Sequence, residues 1–261
     1  FDLSDVPEKD LPMVGLLQAV LGIIDTEHYE YGELFNEINR YTGGIGTSLE
    51  LYPDVTKVRE KEFKATFEIK AKALYGQIPF AIRMMKEILT ASKLDDEKRL
   101  KEILSMTKTR LQDRFLSAGH SAAALRAMSY KSPLSKFKDT TNGIGYYQNI
   151  REMEEHFEDK KEEIINSLKA LSELIFRKGN MMISYTATRE GLAVLEEEIG
   201  SLKEALYPER TPESRCVLHC EKKNEGFKTS SKVQFAAKAG NFIDAGEEYN
   251  GALQILKVIM S

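Results

Sequence analysis

GLLQAVLGIIDTEHYEYGELFNEINRYTGGIGTSLE, which spans residues 15–50, predicts two helices followed by a strand. The first helix belongs to an apolar run over residues 11–24 with hydrophobic side chains on nearly every side, which is typical of a helix buried in a core. The second helix repeats apolar side chains at helical spacing over residues 31–38. It is expected to stop at the double glycine 43–44, because glycine readily adopts the positive φ that ends a helix.

A second pattern, over residues 62–73, changes the period from helical to alternating. One face of this predicted strand carries Phe63, Ala65, Phe67, Ile69, Ala71 and Ala73. The other face carries Lys64, Thr66, Glu68, Lys70 and Lys72. One dry face and one wet face are typical of an antiparallel sheet that helices cover on a single side.

The rest of the chain mixes predicted helices with short alternating strands. Further helices are expected at residues 77–91, 95–127, 143–156, 158–177, 190–206 and 246–260. The helix at 95–127 is expected to have Asp95 as its N-cap. Strands are expected at 180–188 and 231–239. This mixed order predicts an α+β fold, an antiparallel sheet covered on one face by helices.

The composition is that of an ordinary globular protein, with 42% hydrophobic and 30% charged residues and a formal net charge of −4. A negative net charge argues against a partner that is nucleic acid or an anionic membrane surface. The longest apolar run, residues 11–24, is too short to cross a bilayer and follows acidic residues, unlike a signal peptide. The sequence therefore predicts a soluble protein with no nucleic acid and no membrane among its partners.

The stretch CVLHC, residues 216–220, contains both cysteines and a histidine. These are zinc-ligand side chains, but a structural zinc site needs four ligands, and no second cluster of cysteine or histidine lies nearby in the sequence. If the stretch is extended, Cys216 and Cys220 lie roughly 13 Å apart, too far for a disulfide, and His219 points away from both. A plain strand with two free thiols is the favoured interpretation.

The other histidines give weak catalytic signals. His120 lies in the small-residue stretch SAGHSAAALRAMSY, residues 117–130. A nucleophilic serine–histidine pair would need a third, orienting residue, and the sequence gives no sign of one. We expect His120 to pack against or cap a helix. His28 and His156 lie in charged stretches and are expected to be solvated.

Two further stretches have a structural explanation. The glycines of TGGIG, residues 42–46, lack the spacing of a phosphate-binding loop and precede a strand, so a turn is expected. The carboxylates of EMEEHFEDKKEEI, residues 152–164, are spaced to pair with lysines on exposed helix faces. From the residues alone, the chain is an α+β protein without a visible active site.

The start of the chain, FDLSDVPEKDLPMVGLLQ, is weakly echoed by FAAKAGNFIDAGEEYNGALQ at residues 235–254. Each stretch combines the tail of a strand, an acidic loop and an apolar helix. The repeat predicts that a second copy of the fold begins near residue 228, after a charged linker with two prolines at 207–227. Because its strand and helix have apolar faces, we expect this C-terminal unit to pack on a sheet edge of its own chain or of a second copy.

Four stretches occur in a characteristic order: DLPMVGLLQAVLG, YTGGIGTSLE, RLQDRFLSAGHSAAALRAMSYKSP and NGIGYYQNIRE. The most specific parts are SAGHS at residues 117–121 and GYY at 145–147. In this combination the chain resembles the insulinase/pitrilysin family of zinc metallopeptidases, in the presequence-protease branch that includes falcilysin-like enzymes. The resemblance covers essentially the whole chain.

This resemblance implies four homologous α+β domains that form two halves around a peptide chamber. It also implies an inverted zinc motif, His-x-x-Glu-His, in the first domain, with a glutamate on a later helix as the third ligand. Aligned on the double glycine, the motif falls on Leu16, Ala19 and Val20, none of which can bind zinc or accept a proton. The third ligand falls within SMTKTRLQ, residues 105–112, which contains no carboxylate.

The resemblance therefore implies the non-catalytic third domain over residues 1–206, a linker over 207–227, and the truncated first strand and helix of the fourth domain over 228–261. No catalytic, cofactor-binding or metal-binding residue is expected in this chain. Zinc is expected in the catalytic domain of the parent protein. The expected partners are the other domains of that polypeptide and short peptide substrates.

The implied function is that of a non-catalytic part of a zinc metalloendopeptidase that degrades short unstructured peptides. In it, the chain would form part of the closing half of the chamber. The alternative is a structural scaffold or subunit-contact domain without substrate contact, and a third interpretation is an independent hydrolase that uses His120. A bacterial cytoplasmic location is expected, or an organelle matrix if the protein is eukaryotic.

Overall fold

The computed structural model describes residues 1–54, 56–57, 59–209, 215–229, 232–241, 243–246 and 250–260. The helices are α1 (Leu11–Val20), α2 (Tyr31–Tyr41), α3 (Ile78–Thr90), α4 (Glu97–Ser117), α5 (Gly119–Ser129), α6 (Pro133–Asn142), α7 (Ile144–Glu155), α8 (Phe157–Ile175), α9 (Arg189–Ala205) and α10 (Ala252–Met260). With a small antiparallel sheet beside them, they confirm the α+β fold class. None of the helices in the described ranges is long and apolar enough to cross a membrane.

The sheet consists of β1 (Ile45–Pro53) and β2 (Phe63–Ala71), which pair in antiparallel register. Residues 1–3 add a short segment on the other side of β2, where the N–H of Leu3 donates to the carbonyl of Ala65 at 3.0 Å. β2 is therefore the middle strand of this small sheet, and β1 forms one edge.

The predicted faces of β2 are largely confirmed. Phe67 is fully buried, whereas Lys64 and Lys70 are exposed. Thr66, expected on the wet face, is buried instead. The cause is Asp2, which pairs directly opposite Thr66 and brings the N-terminal segment against that part of the strand.

The helix α1 lies at the centre of the fold. It packs against α4, α6, α7, α8 and β1, and seven of its ten residues are buried. This confirms the predicted burial. The helix ends at Val20 and not at residue 24, because Leu21 is extended and Gly22 adopts a φ of 88°.

The single helix predicted at 95–127 is wrong, because the structure has two helices there. The break lies at Ala118, whose φ of −132° and ψ of 42° are not helical. Beside it, the ring of Phe235 lies so close to Gly119 that a Cβ atom on this glycine would come within 2.7 Å of two ring carbons. The glycine thus leaves room for the ring at the start of α5.

Helix starts differ from the prediction in two places. The N-cap of α4 is Asp96 and not Asp95, because the carboxylate of Asp96 accepts the N–H of Arg99 at 2.9 Å. The helix α6 was not predicted, although Ser132 at its N-cap and Pro133 at its first position are a recognised start signal. The helices predicted at 77–91, 143–156, 158–177 and 190–206 are confirmed as α3, α7, α8 and α9.

The strands predicted at 180–188 and 231–239 are wrong for the residues that the structure describes. Residues 181–188 and 232–239 have no strand assignment, and Met182 and Ile183 are exposed. Residue 231 lies outside the described residues. An alternating pattern becomes a strand only if a neighbouring strand forms a ladder with it, and no such ladder is present for these segments among the described residues.

The C-terminal unit does not pack on a sheet edge in the described part of the chain, so that prediction is wrong there. Phe235 lies against the start of α5, and Asp244 pairs with Lys61 of the hairpin turn at 2.9 Å. The predicted helix at 246–260 appears as α10, and residues 247–249 lie outside the described residues. Four apolar side chains of α10 are exposed: Ile255, Leu256, Val258 and Ile259.

The contact between α1 and α7 depends on Gly15. A Cβ atom at this position would lie 2.6 Å from the carbonyl oxygen of Thr141 and 2.7 Å from Cε2 of Tyr146. The ring of Tyr146 is buried, and burial raises the pKa of its hydroxyl. The close approach of backbone and ring at Gly15 therefore fixes how α6 and α7 cover the central helix.

Replacing Gly15 with alanine tests this contact. Alanine has the better helix propensity, but its Cβ would collide with a backbone oxygen, so Gly15→Ala is expected to lower the free energy of unfolding by about 1–3 kcal/mol. Gly200→Ala in α9 is the control, because a Cβ there meets open space, and it is expected to raise stability by about 0.5–1 kcal/mol. Urea denaturation measures both, and equal effects would contradict the proposed contact.

Candidate functional site

The positions that align with the zinc motif lie in the apolar core. Leu16 and Val20 have no exposed surface, and Ala19 is half-buried. The neighbouring helix α4 buries Thr107 and Leu111 from the stretch where a third ligand would fall. Aliphatic side chains offer no lone pair to a metal, so the residues at this position do not fit zinc.

The outer face of α4 lines a shallow, open concavity of about 660 Å³. Its lining residues are Glu102, Ser105, Met106, Thr109, Arg110 and Asp113. All of them come from one helix, so the concavity is a helix surface and not a cleft that encloses a ligand. It offers no enclosed environment for catalysis.

The CVLHC stretch lies along the N-terminal loop. The N–H of Cys216 donates to the carbonyl of Ser4 at 2.7 Å, and the ring Nδ1 of His219 lies 3.0 Å from Oε2 of Glu8. The prediction of a strand is wrong here, because this segment has no strand ladder. Burial, with help from Glu8, raises the pKa of Cys216 to about 11, so this thiol is not a ready nucleophile at neutral pH.

The histidines have structural surroundings. His120 is exposed at the start of α5, with its ring centroid 5.9 Å from that of Phe235, in agreement with a packing role. The prediction that His28 is solvated holds only for part of its ring, because Nδ1 lies 3.0 Å from Oε2 of the nearly buried Glu87. His156 is exposed at the end of α7. In the described ranges, no group of three or more His, Cys, Asp or Glu side chains is placed to hold a metal ion.

The glycine and carboxylate stretches have the predicted structural roles. The double glycine forms a turn in which Gly44 has a φ of 111° and the N–H of Gly43 donates to the carbonyl of Lys72. From the acidic run, Glu154 pairs with Lys108 of α4 at 2.6 Å. These charges join neighbouring helices.

A polar cluster that the sequence analysis did not predict lies where α5, α6 and residues 225–227 meet. The Nη1 of Arg126 donates to Oδ2 of Asp139 at 2.6 Å. The Nε and Nη2 of the same guanidinium donate to the two carboxylate oxygens of Glu225 at 2.8 and 3.1 Å. The guanidinium also lies over the rings of Tyr130 and Phe227, 5.3 and 5.9 Å from their centroids. We call these five residues the Arg126 cluster.

Asp139 connects the Arg126 cluster to the start of α7. Its side chain is only 1% exposed, and its two oxygens accept the N–H groups of Ile144 and Gly145 at 3.0 and 3.2 Å. A Cβ on Gly145 would lie 2.7 Å from the same carboxylate. The glycine thus lets a buried carboxylate approach a helix N-terminus, where negative charge is stabilised.

The charges of the Arg126 cluster support one another. Burial alone would lower the pKa of Arg126, but its two carboxylate partners raise it above the ordinary value. The guanidinium in turn holds the pKa of Glu225 below its ordinary value of 4.5. Burial and the hydrogen bond to Glu225 raise the pKa of Tyr130 to about 12. These three groups therefore keep one protonation state at neutral pH.

The Arg126 cluster also attaches the segment that comes after the helices. We call residues 215–227 the strap. One end of the strap is held by Ser4 and Glu8 through the CVLHC stretch. The other end is held by Arg126 through Glu225. The described part of the predicted linker is therefore fixed to the helical domain at two points.

The signal for the Arg126 cluster was present in the sequence. Arg126 and Tyr130 lie in the stretch RAMSYKSP, and Gly145 lies in NGIGYY. These two stretches were recognised as motifs, but a motif does not reveal which partner its residues contact. Glu225 lies 99 residues from Arg126, in a stretch without regular periodicity, so no local pattern could have joined them.

Comparison with known proteins gives consistent matches. The family model for the associated region of M16 peptidases of subfamily C matches residues 1–153. Protein HypA of Clostridium perfringens is 35% identical over 260 residues, which cover 100% of this chain and 26% of that protein. Presequence protease 1, chloroplastic/mitochondrial, of Arabidopsis thaliana is 24% identical over 98% of this chain and 24% of that protein. The chain thus spans about a quarter of the length of these relatives.

The Arg126 cluster predicts a large difference between two arginines. Arg126→Lys keeps the charge but cannot form the same three charged hydrogen bonds, so we expect it to lower the free energy of unfolding by about 2–4 kcal/mol. Arg151→Lys is the control, because Arg151 forms an exposed pair with Glu155 and should change stability by less than about 0.5 kcal/mol. Similar losses in the two variants, measured by urea denaturation, would show that the Arg126 cluster is not a stabilising centre.

The lowered pKa of Glu225 predicts a pH dependence. A carboxylate whose pKa is lower in the folded state stabilises the fold above its unfolded pKa, and this contribution is lost as the pH falls through the folded value. Glu225→Gln should therefore be less stable than the natural protein near pH 7, and the difference should shrink towards about pH 3. A difference that is constant with pH would rule out the charged pairing.

Proposed function

The chain belongs to the family of regions associated with subfamily C of the M16 peptidases, and we propose that it is the non-catalytic third domain of a longer zinc metalloendopeptidase. In this proposal the longer protein degrades short unstructured peptides. Residues 1–206 form the domain, 207–227 form the connection, and 228–261 begin the next domain.

The observation that carries the proposal is the complete burial of Leu16 and Val20 at the aligned position of the zinc motif. A metallopeptidase centre needs ligands for the metal, a general base and access for substrate. Here the same helix instead contributes close-packed aliphatic side chains to the core. The zinc and the general base then belong to another domain of the longer protein, and this chain supplies neither.

The proposed role is to form part of the closing half of a peptide chamber. Relatives from Arabidopsis thaliana and Mus musculus are named presequence proteases, which supports peptides as the substrates of the longer protein. The proposed partners are those peptides and the other domains of the same polypeptide. The 35% identity to a Clostridium perfringens protein supports a bacterial cytoplasmic location.

The alternative, a scaffold without substrate contact, is favoured by the strap. Two attachments, at Ser4 with Glu8 and at Arg126, hold it against the helices, so the domain is suited to position the next segment of the polypeptide. A photo-crosslinking peptide added to the longer protein separates the two roles. Crosslinks to residues 1–206 support a chamber wall, and their absence while the peptide is still cleaved supports a scaffold.

The chain by itself is expected to bind no stoichiometric zinc and to cleave no unstructured peptide. The reason is that Leu16, Ala19 and Val20 provide neither ligand nor base. Metal analysis after zinc loading and desalting, with a quenched fluorescent peptide assay, measures both properties. The longer protein should carry His-x-x-Glu-His before residue 1 and should cleave the same peptide in a zinc-dependent reaction.

Two results would contradict this proposal. One is a tightly held zinc per chain that is lost in the variant Cys216→Ser with Cys220→Ser, since the cysteine stretch would then be a metal site. The other is a longer protein without the inverted motif and without peptidase activity. The double serine variant is also the control for weak zinc binding by free thiols.

A further inference from the structure

The outer edge of β1 has no neighbouring strand among the described residues. β2 is paired on both sides, with β1 on one and with residues 1–3 on the other. β1 pairs only with β2 within the part of the chain that the structure describes. An open strand edge presents N–H and C=O groups that can pair with another chain.

The hydrogen bonds at the two ends of the ladder show which groups of β1 face outward. The N–H of Asp54 donates to the carbonyl of Glu62, and the N–H of Lys72 donates to the carbonyl of Gly44. In antiparallel pairing, hydrogen-bonded pairs alternate with pairs whose backbone groups point away. The even-numbered residues of β1 therefore bond to β2, and the odd-numbered residues present their N–H and C=O groups outward.

Two independent contacts agree with this alternation. The carbonyl of Thr47, an odd-numbered residue of β1, accepts the Nε2 of Gln18 at 3.2 Å on the outer side. On β2, the odd-numbered Phe67 bonds away from β1, because its N–H donates to the carbonyl of Phe1. The orientation of the outer edge is thus fixed by bonds on both strands.

The open part of the edge is short and defined. Gln18 covers the carbonyl of Thr47, and Pro53 ends the strand without an N–H to offer. Between them, no partner within the described ranges bonds the outward N–H and C=O groups of Leu49 and Leu51. These two residues, which we call the open edge, offer two donors and two acceptors.

The usual protection of a strand edge is missing at the open edge. Natural edges carry inward-pointing charges or prolines that discourage pairing. Here the side chains of Leu49 and Leu51 are half-buried against the core. The polar residues between and beside them are tied to β2, with Glu50 paired to Lys70 at 2.8 Å and the hydroxyl of Tyr52 donating to Glu68 at 2.6 Å.

We propose that the open edge binds an extended peptide as an added antiparallel strand, with apolar side chains placed beside Leu49 and Leu51. The choice of a peptide as the ligand rests on the proposed function. Two outward residues can form at most four backbone hydrogen bonds, which suits brief capture of a peptide regardless of its sequence. A stable dimer of two copies would need an interface of about 1,200 Å² or more, far beyond so short an edge.

The test uses a soluble, labelled peptide of about eight residues in which valine and lysine alternate, and it measures binding to the whole chain by fluorescence anisotropy. Residues opposite each other in a sheet share a face, so the valines lie opposite Leu49 and Leu51 and direct their N–H groups to β1. N-methylation of the valines should weaken binding by about tenfold or more, because it removes these donors. N-methylation of the lysines, the matched control, should leave binding unchanged, since their N–H groups face solvent.

A protein variant tests the same bonds from the other side. Leu49→Pro removes an outward N–H and leaves the ladder to β2 complete, because Leu49 does not donate to β2. We expect about tenfold weaker peptide binding with a similar melting temperature. Ser48→Ala is the control on the same strand, and it should bind the peptide as the natural protein does.

Three results would overturn the inference: no binding of the alternating peptide, equal binding of both N-methylated peptides, or a dimer in light scattering that Leu49→Pro converts to a monomer. If Leu49→Pro does not fold, the pair of N-methylated peptides decides. Binding is measured without cleavage, so it is independent of zinc. A longer protein without the zinc motif would end the proposed function and leave a positive binding result intact.

Discussion

The rest of the structure depends on one constraint, which is that α1 is apolar on nearly every side and must be covered on every side. A sheet alone covers one face of a helix, so four further helices pack around α1 while β1 covers the remaining side. The same constraint explains the residues at the aligned zinc position. Because Leu16 and Val20 lie in the centre of this packing, a polar pair there would leave buried groups without partners. The helix therefore serves the core, and any function of the domain lies on its outer surface.

The motifs that identify the family have a physical meaning in this chain, and it is structural. Gly15 in the first motif allows the ring of Tyr146 in the last motif to approach the backbone of α1. Gly145 allows the carboxylate of Asp139 to reach the start of α7, and Asp139 in turn holds Arg126. Small residues thus permit close approach, and the ionic group they admit fixes the neighbouring helices. Recognition by motif and catalytic function are separate properties here.

The parts of the fold that depend on local pattern could be predicted from the sequence. The double glycine ends α2 and leads into β1, and the alternation over residues 62–73 becomes β2, as expected. The parts that depend on distant partners could not. The break between α4 and α5 depends on Phe235, more than a hundred residues later, and the alternating segments 181–188 and 232–239 have no neighbouring strand among the described residues. The Arg126 cluster was missed for the same reason, because Glu225 is remote in sequence from Arg126.

The open edge and the strap allow the two proposed roles to coexist. The open edge is formed by Leu49 and Leu51 on β1, whereas the strap is held by Arg126 on α5 and by the loop at Ser4 and Glu8. A strand edge works through backbone groups and so tolerates many peptide sequences. A buried ionic cluster works through one fixed geometry and so suits a permanent attachment. Because the two features use different elements and different chemistry, a domain that has lost its catalytic residues can still hold a peptide at one surface while it positions the next segment at another.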